Sequence, residues 1–201
     1  MASEIEISIN NVDPEEVESR LMSLGAKHVG SYDYKIANFQ LGGSGDVKNA
    51  DHHSWLRIRS DGKITTLAFK EQQGANAEER HECEVNVSDF VDTVRIIRKA
   101  LPDAQYDYIE KHREEYLIEG EEIEAVIDKW PLLSWYKMEL EGKSRDALLR
   151  FYARMGLKSG QLGKNLAISN AEFYKMLNID YQKTMEAYKK KLDSMLEEPH
   201  S

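Results

Sequence analysis

Charged side chains recur at every second position in one segment of this chain after another. Glu4 and Glu6, Arg57 and Arg59, Glu82 and Glu84, Lys111 and Arg113, and Glu139 and Glu141 all have this spacing, and Lys70 and Asp128 sit in segments that alternate the same way. In extended chain, residues two apart share a face, so each pair presents its charges together. Clustered Arg and Lys side chains bind phosphate oxygens through charge-assisted hydrogen bonds. Clustered carboxylates bind hard divalent cations such as Mg²⁺ or Mn²⁺. Charges withdrawn from water are costly unless they are paired or meet a counter-ion. A face that carries both signs therefore suits a ligand that supplies both, and a metal–triphosphate complex is such a ligand.

The elements that must position these residues follow from periodicity. Residues 3–10, 53–60, 64–71, 80–87 and 135–141 alternate strictly, and 29–40, 105–118 and 121–130 are longer and looser, which makes eight strands. Opposite the charges stand Ile5, Ile7 and Ile9, then Leu56 and Ile58, Leu67 and Phe69, Cys83, Val85 and Val87, and Met138 and Leu140. Helices are expected over 14–24, where Asp13 is the N-cap, Glu16 completes a capping box and Gly25 stops the helix. Others are expected over 89–101 after Ser88, over 145–155 between Ser144 and Gly156, over 170–178 and over 180–197. Three times a Glu-x-Glu strand precedes a helix. If helices cover the apolar face, the charged face is either open sheet or the lining of a closed barrel, which removes sheet edges. The expected fold is α+β: an eight-stranded antiparallel closed barrel, or tunnel, with helices packed outside and a C-terminal helical tail. The expected division is a domain over residues 1–165 and a helical extension over 166–201.

Composition narrows the function classes. The 201 residues carry 27 Lys and Arg against 36 Asp and Glu, a net charge of −9, which argues against non-specific binding to nucleic acid. A single cysteine, Cys83, excludes a disulfide framework or a multi-cysteine zinc site and fits a reducing compartment. No apolar run is long enough to span a bilayer and no secretory signal is legible, so a cytoplasmic location is expected. The GGSG stretch at 42–45 lacks the following Lys-Ser/Thr of a P-loop and reads as a plain loop, as does QQGANAEE at 72–79.

The ordered set of Glu4-x-Glu6, Leu56-Arg57-Ile58-Arg59, Lys70, Glu82-x-Glu84, Lys111-x-Arg113, Asp128 and Glu139-x-Glu141 resembles the CYTH superfamily, which groups class IV adenylyl cyclases and thiamine triphosphatases, the triphosphate tunnel metalloenzymes. The run from Asp128-Lys-Trp130-Pro131 to Glu139-Leu-Glu141-Gly142 is similar to the bacterial cyclase-like branch. The resemblance implies that Arg57, Arg59, Lys70, Lys111 and Arg113 bind triphosphate, with Lys164 as a further phosphate ligand. It implies that Glu4, Glu6, Glu139, Glu141 and Asp128 hold the metal, that Glu82 and Glu84 are acidic lining, and that Glu4, Glu6, Arg57, Arg59 and Lys70 form the catalytic set. One position departs from the pattern. The family's Glu-x-Glu-x-Lys motif has Ser8 in place of its lysine here, which removes a cation that would assist hydrolysis. Lys137, on the face of Glu139, is the nearest candidate to replace it, or else it sits at the rim and pairs with a neighbour.

Three functions are therefore open. They are metal-dependent hydrolysis of a triphosphate (tripolyphosphate, thiamine triphosphate or a nucleoside triphosphate), cyclisation of ATP to cyclic AMP, and non-catalytic binding of a polyphosphate or nucleotide. The partner is a small molecule; no membrane is involved. The tail helices either close one mouth of the tunnel or form a homodimer contact. His52-His53, Trp55, Trp130 and Trp135 read as structural, and Lys189–Lys191 as a solvated helix face.

Overall fold

The computed structural model describes residues 3–41, 52–73, 79–131, 133–163, 175 and 178–197. Lys164, the GGSG loop, most of the 72–79 loop and nearly all of the helix expected over 170–178 lie outside the described residues. So do the side chains of Glu4, His52 and His53. The chain divides into two units, one formed by residues 1–33, 76–81 and 111–166 and the other by 34–75, 82–110 and 167–201.

The described strands are β1 (Ser3–Val12), β2 (Lys27–Leu41), β3 (His52–Ser60), β4 (Thr65–Gln73), β5 (Glu79–Val87), β6 (Tyr106–Ile118), β7 (Ile123–Lys129), β8 (Tyr136–Gly142) and β9 (Gln161–Leu162). The helices are α1 (Pro14–Ser23), α2 (Phe90–Ala100), α3 (Arg145–Met155) and α4 (Tyr181–Glu197). The strand pairings whose register is seen among the described residues are all antiparallel, and the class is α+β as expected. Each of the three Glu-x-Glu strands, β1, β5 and β8, does lead into a helix. The expected closed eight-stranded barrel is corrected on two points. Among the described residues there are nine strands, because Gln161–Leu162 adds an edge to β1. The sheet is not closed, although β1 meets β5 over three residue pairs, Ser3 to Ile5 against Glu79 to His81.

In the first unit the strands run in the order β6-β7-β8-β1-β9. Their apolar face, with Ile7, Ile9, Ala125, Ile127, Met138 and Leu140, packs on Val17 and Leu21 of α1 and on Leu148, Phe151 and Met155 of α3. Helix α3 begins at its Ser144 cap and ends at Gly156, which takes the left-handed conformation at φ +56°. Helix α1 begins at Asp13, whose side chain accepts from the Glu15 amide. The expected capping box is not formed. The Glu16 carboxylate instead accepts from the amides of Lys158 and Ser159, at 2.7 and 2.9 Å, while Ser159 Oγ accepts from the Asp13 amide. These bonds hold the segment after α3 on α1, and the Ser159 hydroxyl, with the Lys158 and Ser159 amides, depresses the Glu16 carboxyl to about 2. Gly160 (φ +86°) completes the approach, because a Cβ there would lie 2.8 Å from Val12 and 2.9 Å from Ile9. Strand β9 follows from this docking.

In the second unit the strands run β5-β4-β3-β2. Ala37, Phe39, Ile58 and Tyr108 meet Phe90 and Val94 of α2 and Leu192 of α4. The cap of α2 is Asp89 and not Ser88, since the Asp89 side chain accepts from the Asp92 amide. The C-terminal helix α4 is tied to α2 by an Arg98–Asp193 ion pair at 2.8 Å and by Arg95 donating to the Leu196 carbonyl. The lysines expected to be solvated are partly engaged: Lys191 pairs with Glu110 at 2.6 Å and Lys189 lies over the Tyr106 ring.

Candidate functional site

Register carries the charged residues of each unit onto one face. In the first unit Glu6 stands opposite Glu141, Ser8 opposite Glu139 and Asn10 opposite Lys137. On the next strand Glu124 stands opposite Glu141, Val126 opposite Glu139 and Asp128 opposite Lys137. Arg113 then stands opposite Asp128. Cross-strand partners share a face, so these positions form three lateral rows.

Asp128 is the centre of this cluster. It is fully buried. Its Oδ1 accepts from Arg113 Nε at 2.7 Å, and its Oδ2 accepts from Arg113 Nη2 at 2.7 Å and from Lys111 Nζ at 2.6 Å. Arg113 also donates to Glu139 at 3.1 Å, and Lys137 donates to Glu139 at 2.6 Å. Burial and the neighbouring Arg113 pull the Lys111 ammonium down to about 8, outweighing the upward pull of Asp128 and Glu139. Arg113 goes the other way: burial opposes its charge, and the Asp128 hydrogen bonds and nearby acids more than compensate. Burial pushes Glu139 up, but Lys137, Arg113 and Lys111 win and hold it well below the usual carboxylate range. Lys137 pairs with the neighbouring Glu139, as one of the two expected readings has it. It is largely buried against Glu139, and attraction to Glu139, Glu6 and Asp128 raises its pKa against burial. Lys111 Nζ also lies 4.9 Å from the Trp130 ring, whose buried Nε1 has no partner.

In the second unit Arg57 donates to Glu82 at 2.8 Å and to Glu84 at 3.2 Å. Lys70 pairs with Glu82 at 2.6 Å, and Arg59 with Glu84 at 3.8 Å. Thr66 also donates to Glu84, and Arg59 lies over the Tyr34 ring at 4.9 Å. Burial and the like charge of Arg59 lower the Arg57 pKa, while Glu82 and Glu84 raise it. Arg57 Nε is buried without a partner. Trp55 belongs to this charged face rather than the core, for it stands opposite Lys70 and Gln40.

All the expected site residues within the described side chains thus fall on the charged faces: Arg57, Arg59, Lys70, Glu82 and Glu84 in one unit, and Glu6, Lys111, Arg113, Asp128, Glu139 and Glu141 in the other. The charged face of the second unit also carries Asn38 and Gln40, opposite Arg57 and Trp55, and Asp107, which accepts from Asn38; sequence reasoning did not place them there. Strands β2 and β6 alternate loosely, so their neutral members were not sorted by face, although Asp107 has the same parity as Lys111 and Arg113.

The sequence matches the profile of the CYTH domain over residues 45–160, more than half of the chain. The chain belongs to the CYTH domain family. No curated protein matches it by sequence. Among solved structures it is similar to the PH1012 protein of Pyrococcus horikoshii OT3, at 18% identity and TM-score 0.64 over 83% of this chain and 99% of that one. It is also similar to a candidate adenylate cyclase of Vibrio parahaemolyticus, at 13% identity and TM-score 0.57 over 86% and 97%. A third is the Hippeastrum protein HpAC1, described by a dominant triphosphatase activity, at 15% identity and TM-score 0.52 over 86% and 95%. These likenesses establish the CYTH fold. Among the described residues no helix is long and apolar enough to cross a membrane.

Proposed function

We propose that this CYTH protein is a metal-dependent hydrolase that releases a terminal phosphoryl group from a triphosphate. The observation that carries the reading is Arg57, a half-buried guanidinium that is already paired with Glu82 and Glu84 yet keeps an unanswered, buried Nε donor. A buried N–H without an acceptor is costly, and a phosphate oxygen would satisfy it. The proposed phosphate-binding set is Arg57, Arg59, Lys70, Lys111, Arg113 and Lys164, in a domain of residues 1–165 with 166–201 as its extension.

The proposed metal-holding set is Glu4, Glu6, Glu139 and Glu141. Glu6, Glu141 and Glu124 stand in one lateral row on three adjacent strands, and carboxylates directly opposite one another repel. Such hard oxygen donors fit Mg²⁺ or Mn²⁺. Among the described residues no three acids or histidines converge on an ion as they stand, so the carboxylates would turn to take one. A bound divalent ion would supply charge neutralisation and a water of lowered pKa. Asp128 was expected among the metal ligands. Both of its oxygens are engaged by Lys111 and Arg113, and its proposed role is to hold those cations. Phosphoryl transfer needs mainly positioning and charge stabilisation. The Arg and Lys side chains would orient the phosphates and spread the charge that develops on the transferred group. Glu82 and Glu84 keep Arg57, Arg59 and Lys70 fixed before ligand arrives.

Chromatography of products from ATP tests the reaction class. ADP and phosphate are expected; cyclic AMP and pyrophosphate would replace hydrolysis with cyclisation.

A further inference from the structure

Strand β5 is the outermost strand of the second unit, next to β4. Its first residues, 79–81, belong to the first unit, where they pair with β1. Among the described residues no strand lies along the other edge of Glu82 to Val87. Residues 83–86 are all exposed, so this segment is open on both faces as well as along its edge. An unpaired edge presents a row of backbone N–H and C=O groups that templates a further strand, and proteins commonly block it with Lys, Pro or an inward-pointing charge. The segment has no Lys and no Pro. Its two acids are already engaged, Glu82 by Arg57 and Lys70, and Glu84 by Arg57, Arg59 and Thr66.

The other face of this edge is apolar and bare. Cys83, Val85 and Val87 alternate with the glutamates, and Val85 is 55% exposed. Phe69 alternates with Lys70 on β4 and so faces the same way as Val85; it is 36% exposed. None of these four residues belongs to the apolar cluster beneath α2 and α4.

The sequence of this edge is complementary to itself. Two β5 strands paired antiparallel about a two-fold axis set residues of like parity opposite each other, on a shared face. Only two such registers, centred on Glu84 and on Val85, pair five residues of the open segment with five of its copy. Centred on Glu84, that residue meets the partner's Glu84, and like charges directly opposite repel. Centred on Val85, that residue meets the partner's Val85, Cys83 meets the partner's Val87, and Glu84 meets the partner's Asn86, whose amide can donate to it. No acid then faces an acid, and the bare apolar residues of both copies join.

We propose that the chain forms a two-fold homodimer by antiparallel β5–β5 pairing centred on Val85, with a second copy as the occupant of this edge. The charged faces of the two copies then run on across the axis, and the partner's Asn86 joins the groups that hold Glu84 beside Arg57 and Arg59. One strand pair with its flanking side chains is a small interface, so a dissociation constant on the order of 10 µM is expected.

The test is sedimentation velocity of the full chain from about 2 to about 200 µM, as wild type and as Val85→Lys, with circular dichroism to check that the variant folds. The wild type passes from monomer to dimer over that range. In Val85→Lys two ammonium groups would meet across the axis, so dimerisation weakens at least about tenfold. Disulfide trapping under mild oxidant reads the register: Val87→Cys and Cys83→Ser/Val85→Cys both give covalent dimers, and wild-type Cys83 gives none. A chain that stays monomeric at every concentration overturns the proposal, and so does a dimer that Val85→Lys leaves intact. Covalent dimer from wild-type Cys83 overturns it too, as does trapping of Cys83→Ser/Val85→Cys no faster than of Cys83→Ser/Ile96→Cys, which places the thiol on the exposed side of α2. Trapping decides the matter should Val85→Lys fail to fold.

Discussion

Asp128→Asn tests whether the buried carboxylate holds Lys111 and Arg113 in place. Asp128 is fully buried, and the cations it holds, Lys111 and Arg113, are 8% and 11% exposed. Removing its charge leaves two buried cations with Glu139 as the nearest acid, reached by Arg113 at 3.1 Å. Breaking a buried pair by removing one partner costs about 3–5 kcal/mol. That is a large share of the ~5–15 kcal/mol that holds a typical domain together. Two cations lose a partner here, and Asn retains some hydrogen bonding, so a loss within that range is expected. Urea unfolding of wild type and variant measures it. The same variant has a second signature: tripolyphosphate competes with Asp128 for the two cations, so the ligand should stabilise Asp128→Asn more than wild type at equal concentration. A loss under about 1 kcal/mol would mean that the cations are solvated and that the buried cluster does not exist. A large loss with no extra rescue by tripolyphosphate would mean that the cluster is structural only.

Other outcomes follow from the same geometry. Arg59→Ala should weaken tripolyphosphate binding severalfold or more while the fold survives, because it removes a cation whose own ion pair is long, 3.8 Å to Glu84; titration calorimetry and a thermal melt report both. Ser8 stands opposite Glu139, to which Lys137 already delivers an ammonium; Lys137→Ala should therefore depress phosphate release, and Ser8→Lys in that background should restore part of it. A rate untouched by Lys137→Ala would remove Lys137 from the reaction. The Asp33 and Glu114 hydrogen bonds raise the His112 pKa above 6.5, against burial. Its contribution to stability is thus fully present below pH 6.5 and is lost as pH rises through the folded value, so His112→Gln should flatten the stability profile between pH 6.5 and that value. Glu16 has the opposite sign: its depressed pKa stabilises above 4.5 and is lost as pH falls towards about 2, and Glu16→Gln should blunt that acid loss.

Much of this was legible in the sequence where a two-residue period was strict. The faces of β1, β3, β4, β5 and β8 follow from parity alone, and the structure keeps Arg57 with Arg59 and Glu139 with Glu141 on the faces expected. The N-caps Asp13 and Ser144 and the glycine stops were readable because their chemistry is local. What failed was long-range. Glu16 has the spacing of a capping box, but amides 142 and 143 residues away compete for it. Strand β9 is two residues long and exists only because Gly160 allows the chain to lie against β1. Closure could not be read at all, since parity says which side a residue faces but not how far two edge strands overlap. Asn38 and Gln40 escaped because neutral residues in a loosely alternating strand leave no charge pattern, and Asp107 because Ile109 separates it from the charged run that starts at Lys111.

The central claim is tested most directly by phosphate release from tripolyphosphate, thiamine triphosphate and ATP by the full chain, with Mg²⁺ or Mn²⁺ and with excess chelator. The account predicts release from at least one of them that needs the divalent ion and is lost in Glu139→Gln and in Glu141→Gln. Release that persists in chelator, or that survives both substitutions, would contradict it.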